Sequence, residues 1–149
     1  MFPNDDPLNP GEAVASPAVG TLLSFTDAVV HTHVPDGEFG SDASLHEGRA
    51  LLSSCYLNSL RCSARLGSKS VALPALGCGV RGWKQPVAAA VAIDALSQFA
   101  ALPQAERGVL VEVVFVFINA DLRRVFEAVA KKNFKQPPWR EEKNMWWTL

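Results

Sequence analysis

Charge of one sign is scarce in this chain. Fourteen Lys and Arg residues stand against fifteen Asp and Glu, a formal net charge of -1 over 149 residues. A surface so balanced argues against a protein whose main task is to neutralise phosphate backbones, so nucleic acid is not an expected partner. Long apolar runs are missing as well, and none reaches the ~18 residues that point to a membrane span. The opening residues Met1, Phe2, Pro3, Asn4, Asp5 and Asp6 have neither the basic start nor the apolar stretch of a signal peptide. Cysteine is sparse: Cys55, Cys62 and Cys78 form an odd count without a regular framework. That fits reduced thiols in a cytosol-like compartment, cytoplasmic or nuclear.

What is present reads as one globular domain. Apolar residues make up 48% and charged residues 19%, enough to bury a core without disulfide or metal staples. Three prolines among residues 1–10 predict an irregular N-terminal arm. Glu12 to Ser16 reads as a short strand stopped by Pro17, and Asp27 to Val34 as a strand with a buried apolar run. Pro35, Asp36, Gly37 and Gly40 mark a loop. Ser44 and Glu47 have capping-box spacing. Leu51, Leu52, Cys55, Tyr56 and Leu60 then carry a helical repeat as far as Gly67. Cys55 and Cys62 share one face of that helix and read as buried inert thiols rather than metal or redox groups.

Val71 to Leu76 is a short apolar strand. A helix with Pro86 near its start carries Val87, Val91, Ile93, Leu96 and Phe99 and ends before Pro103. Val109 to Ile118 is apolar almost throughout, as in a strand covered on both faces. A last helix begins near Asp121, an N-cap candidate, with Leu122, Val125, Phe126 and Val129 on its inner stripe. The order strand, helix, strand, helix, strand, helix predicts an α/β fold, with a mostly parallel sheet and helices on both faces.

The stretch richest in chemistry runs from Ser70 to Trp83. A buried strand enters a turn punctuated by Gly77, Gly79 and Gly82 and leaves into a helix. Backbone N–H groups in such a turn converge, and the helix dipole adds positive potential, so the implied chemistry is binding of a phosphate or diphosphate. Three readings compete. The three glycines satisfy G-x-G-x-x-G, but a dinucleotide-binding fold needs an acid about 20 residues on, at the end of the next strand. Phe99 to Leu102 stand at that distance, and the next strand ends near Asn119 and Asp121, about twice as far. A turn that merely connects strand to helix is the second reading.

The third is a family resemblance. The apolar strand ending Pro74-Ala75, its glycine turn and Trp83 are similar to the macrodomain signature. Gly11-Glu12-Ala13-Val14-Ala15-Ser16 resembles that family's Gly-Glu-Ala segment. Val29-Val30-His31-Thr32-His33-Val34-Pro35 resembles its Val-Ile-His-Thr-Val-Gly-Pro strand. The helix with Leu51, Leu52, Ser54, Cys55, Tyr56, Asn58, Ser59 and Leu60 also fits. The resemblance covers residues 11–134, a partial macrodomain-like domain between the arm at 1–10 and a Trp- and Lys-rich tail at 135–149.

The resemblance implies a three-layer domain that binds ADP-ribose or a related nucleotide. Gly77, Cys78, Gly79, Val80, Arg81 and Gly82 would wrap the diphosphate and distal ribose, with Asn119 near the adenine. Arg81 stands where the family often has an aromatic; its planar fork suits a phosphate, or it points into solvent. The family's early strands and catalytic loops have no counterpart here. A degenerate, weakly binding macrodomain without its own hydrolysis is therefore expected. One alternative is an ADP-ribose-processing hydrolase whose loops come from another segment or chain; another is a non-catalytic oligomeric interaction module. No catalytic residue, metal ligand or cofactor is assigned. One of the absent strands would lie between the counterparts of Asp27–Val34 and Val71–Leu76. Either those strands close up or another chain fills the gap, and a homo-oligomer is expected.

Other residues bear weaker signals. His31 and His33, two apart on a strand, have the spacing of a metal pair with His46 as a third ligand, but no supporting Cys or acid. Cys78 lies at a helix N-terminus, which lowers a thiol pKa, yet no base accompanies it. The tail interleaves Lys131, Lys132, Lys135, Arg140 and Lys143 with Trp139, Trp146 and Trp147. Such a tail folds back over apolar surface or binds a partner.

Overall fold

The computed structural model describes residues 7–37, 42–134, 139–141 and 145–148, with side chains described for 7–37 and 44–134. Ala13–Pro17 (β1) and Ala28–Thr32 (β2) form an antiparallel hairpin, Ala13 opposite Thr32 and Pro17 opposite Ala28. Pro17 sits at the strand end, where its missing N–H costs no ladder bond. A 3-10 turn at Gly20–Ser24 joins the two strands.

Asp42–Arg65 forms a 24-residue helix, α1. It starts two residues ahead of Ser44, so Ser44 and Glu47 are not a capping box. Asp42 is itself a residue type favoured in a first turn, where the macrodipole is positive. The stop at Gly67 is as expected. Gly67 has φ +71°, its amide donates to the carbonyl of Ala64, and that of Ser68 donates to Ser63. Those two bonds are a Schellman closure.

Ser70–Pro74 (β3) leads through the glycine turn to Gln85–Ala100 (α2), with Pro86 in its first turn. The buried stripe of α2 is mostly small: Ala88, Ala89, Ala92, Ile93, Ala95, Leu96 and Phe99. Small residues let α2 pack closely against both α1 and α4. A short helix that the sequence did not signal, Gln104–Arg107 (α3), follows Pro103. Glu112–Val116 (β4) is shorter than the apolar run around it, and Val109, Val111 and Ile118 are exposed. Ala120–Asn133 (α4) is capped by Asn119, whose side chain accepts the Leu122 amide at 2.9 Å. Asp121, expected as the cap, instead lies in the first turn and pairs with Arg124. Trp139–Glu141 (β5) and Met145–Thr148 (β6) complete the described elements.

β3 and β4 pair in parallel, Leu73 opposite Phe115. β6 adds antiparallel to β4, and β5 to β6, giving the order β3-β4-β6-β5. The alternation predicted a mostly parallel sheet, but the tail contributes two antiparallel strands that its prolines and tryptophans did not announce. Leu73, Val113 and Phe115 face one core with Leu52, Tyr56 and Leu60 of α1, Ile93 and Phe99 of α2, and Phe126 of α4. Phe115 lies 6.2 Å from Tyr56 and 5.4 Å from Phe126, centroid to centroid. Burial of these large side chains supplies most of the stability, about 1.5–3 kcal/mol each. β2 and β3 belong to separate sheets. The strands flanking the expected gap have not closed up.

Candidate functional site: the glycine turn

Parallel pairing puts the ends of β3 and β4 side by side, Pro74 opposite Val116. The glycine turn and Asn119 therefore leave the sheet at the same carboxyl edge, where open α/β sheets bind ligands. Leu76 begins the turn and donates its amide to the hydroxyl of Tyr56 at 2.8 Å. Tyr56 is fully buried, and burial pushes its phenol pKa up. Within the turn the Cys78 amide donates to Ala75, that of Gly82 to Gly79 and that of Trp83 to Gly77. The amides of Gly77, Gly79, Val80 and Arg81 have no acceptor among the described residues. Donors without partners at position 77 and at the consecutive positions 79–81 are what an anion requires of a backbone cradle.

The glycines divide by role. Gly77 has φ +83°, and a Cβ there would fall 2.6 Å from Cδ1 of Trp83. It belongs to the architecture. Gly82 also has a positive φ, +68°. Gly79 has no such φ, and a Cβ there would meet nothing within 4 Å. The fold does not require glycine at 79, although a ligand approaching the backbone would.

Loop 35–37 is fastened to the far side of the turn. The Gly37 amide donates to the Arg81 carbonyl at 2.6 Å, and the Trp83 indole donates to the Pro35 carbonyl at 2.8 Å. A Cβ on Gly37 would lie 2.5 Å from the Trp83 backbone nitrogen. Arg81 meets Asp36 at 2.8 Å. Its guanidinium is thus paired within the chain, an arrangement that neither reading of the sequence foresaw because the partners lie 45 residues apart.

The remaining candidates separate. Cys78 is half-buried, and desolvation raises its thiol pKa, opposite to the shift expected at a helix N-terminus. The Cys55 thiol is raised for the same reason, and the sulfurs of Cys55 and Cys62 donate to the carbonyls of His33 and Ala13. His31 bonds Ser16 at 2.9 Å and His33 the Leu8 carbonyl at 2.6 Å. His46 lies exposed on α1. No group of three His, Cys, Asp or Glu side chains able to hold a metal occurs among the described residues.

The model of the macro domain matches residues 3–92, more than half the chain. The chain belongs to the macrodomain family. It is 40% identical to an O-acetyl-ADP-ribose deacetylase of Escherichia fergusonii over 124 residues, 78% of this chain and 62% of that protein. It is 37% identical to a macro domain-containing protein of Streptomyces griseus over 114 residues, 75% of this chain and 58% of that protein. The solved macrodomain of Oceanobacillus iheyensis with ADP superposes at a TM-score of 0.69, with 23% identity, over 86% of this chain and 61% of that one. This macrodomain thus spans about three fifths of the length of the relatives it matches. No helix among the described residues is long and apolar enough to cross a membrane.

Proposed function

We propose that this macrodomain binds ADP-ribose or a related nucleotide through the turn Gly77–Gly82, with Asn119 beside it. Gly77, Cys78, Gly79, Val80, Arg81 and Gly82 form the diphosphate cradle. The observation that carries this reading is the set of four amides, at 77 and 79–81, without acceptors among the described residues at the carboxyl edge of β3, within a family whose members include O-acetyl-ADP-ribose deacetylases. Asn119 contributes from the neighbouring strand end. Its Oδ1 is committed to the helix cap, which leaves its amide nitrogen to donate to a base. Arg81 reaches a phosphate only by leaving Asp36. That pair is 40% and 73% exposed, and exposed pairs contribute ~0–1 kcal/mol, so exchange of partners costs little.

Calorimetry with ADP-ribose tests the reading. The parent chain should release or absorb heat with a saturable isotherm, and Gly79→Val should abolish it while keeping the fold, because position 79 has room for a side chain. Equal affinity in the variant removes the cradle assignment.

Hydrolysis is a second reading, favoured by the 40% identity to the Escherichia fergusonii deacetylase. The chain spans 62% of that protein, and positioning of both reactants supplies a large share of such a rate. The isolated chain is therefore expected to bind without turning over. An assay of acetate release from O-acetyl-ADP-ribose checks this, and robust turnover by the purified chain would establish the enzyme instead.

A further inference from the structure

Charge is sparse around the glycine turn. Arg81 is the one cation of residues 77–83, and Asp36 the one acid of residues 33–37. They meet through a single contact, from Nη1 of Arg81 to Oδ1 of Asp36 at 2.8 Å. A guanidinium fork can hold two oxygens at once, so Asp36 engages only part of what Arg81 offers. The loop that carries Asp36 is fixed by its backbone rather than by this pair. The Gly37 amide donates to the Arg81 carbonyl, and the Trp83 indole to the Pro35 carbonyl. Neither bond involves the side chain of Arg81 or of Asp36. The carboxylate therefore stays beside the turn whichever partner Arg81 holds.

The position of Asp36 relative to Asn119 gives the pair a direction. Asn119 follows β4, which is paired along one edge of β3. Loop 35–37 follows β2, which faces the other edge of β3. The glycine turn lies between them. A nucleotide with its base at Asn119 and its diphosphate on the amides of 77 and 79–81 thus points its far end at Asp36.

We propose that Asp36 is a specificity-determining residue, which yields Arg81 to the ligand's phosphate and then reads the group beyond it. This inference rests on the glycine turn being the nucleotide cradle. A phosphate can take both arms of the Arg81 fork, where Asp36 takes one. The released carboxylate only accepts hydrogen bonds. A neutral, hydroxylated group next to it supplies donors. A further phosphate supplies none and adds a like charge, and such a repulsive contact is how a site rejects a close relative of its ligand. The class of ligand selected is a nucleoside diphosphate that ends in an uncharged sugar, in preference to a nucleoside triphosphate.

Calorimetry with ADP-ribose and with ATP, without divalent cations and at about 0.15 M salt, tests this. The parent chain should bind ADP-ribose more tightly than ATP. Asp36→Asn keeps the shape of an exposed side chain and removes its charge. It should shrink that preference about threefold or more, the effect of one screened like-charge contact, chiefly through tighter binding of ATP. Asp94→Asn, an exposed site on α2, makes the same change in net charge and should leave the preference as it is. The proposal is overturned, with the cradle intact, if the parent does not prefer ADP-ribose, if Asp36→Asn keeps the parent's preference, or if Asp94→Asn shifts it equally. If the parent binds neither ligand, or if Gly79→Val binds ADP-ribose as the parent does, the cradle itself falls and this proposal with it.

Discussion

Alanine at Gly77 and alanine at Gly79 should have opposite consequences, although the two glycines lie two residues apart in one turn. At Gly77 two costs combine. The residue sits at φ +83°, where an L side chain costs roughly 1–2 kcal/mol. Its Cβ would also lie 2.6 Å from Cδ1 of Trp83. Trp83 is 4% exposed and held by the Pro35 carbonyl, so it has little freedom to withdraw. Overpacking of this kind costs about 1–3 kcal/mol. Gly77→Ala should therefore lose about 2–5 kcal/mol, a large part of a small domain's stability. Gly79→Ala meets neither cost. It should change stability by no more than about 1 kcal/mol, with a small gain expected from the restricted unfolded chain. Urea unfolding followed by tryptophan fluorescence measures both. Calorimetry with ADP-ribose then separates function from fold, since Gly79→Ala should weaken binding in a folded protein. A stable Gly77→Ala, or a Gly79→Ala that loses more than about 2 kcal/mol, would refute this division.

Three further outcomes follow from the same geometry. Tyr56→Phe keeps the ring against Phe115 but leaves the Leu76 amide without its acceptor; a loss of about 1–3 kcal/mol in urea unfolding is expected, and an unchanged midpoint would show that bond to be idle. Asn119→Ala removes the cap on α4 and should cost about 0.5–2 kcal/mol, whereas Asn119→Asp keeps the cap. If the amide nitrogen contacts the base, both variants should lose nucleotide affinity by calorimetry, Asn119→Asp without the loss of stability; full affinity in Asn119→Asp removes that contact. Burial raises the thiols of Cys55 and Cys78 and the phenol of Tyr56, so the folded state retains protons that the unfolded state releases. Stability is then full below the ordinary thiol value of 9.0 and falls as pH rises through the higher folded values. Urea midpoints at about pH 7.5 and pH 10 check the sign, and a midpoint that rises contradicts it.

Much of this was legible because the signals were local. The strand-turn-helix around Gly77 can be read from apolar runs and glycines alone, and Gly67 and Pro86 punctuate their helices as their backbone chemistry dictates. Errors arose where two residues offered the same chemistry. Ser44 suited a cap, but the helix had already begun at Asp42; Asp121 suited one, but Asn119 stood two residues earlier and took it. The thiol of Cys78 was misjudged because the helix-dipole effect is visible in a sequence and desolvation is not. Contacts between distant segments were out of reach: the Arg81–Asp36 pair, the seating of Gly37 on Trp83, and the Leu76 amide on Tyr56 each join elements that local pattern cannot relate. The pairing of 145–148 on β4 was hidden for the same reason, since long-range strand pairing leaves no periodic mark beyond the strand itself.

The fastening of loop 35–37 to the turn at 81–83 has a mechanical meaning. β2 and β3 both deliver the chain toward that junction, so the two halves of the molecule behave like the arms of a clothes peg, sprung at one end. Gly37, Asp36 and Pro35 on one arm grip Arg81 and Trp83 on the other. Farther back, near Phe25 to Asp27 and Gly67 to Lys69, the arms line an open cleft between β2 and β3 and have no such clasp. α1 packs against β1 and β2 on one arm and against α2 and β3 on the other, so that helix joins the arms as well as the clasp does.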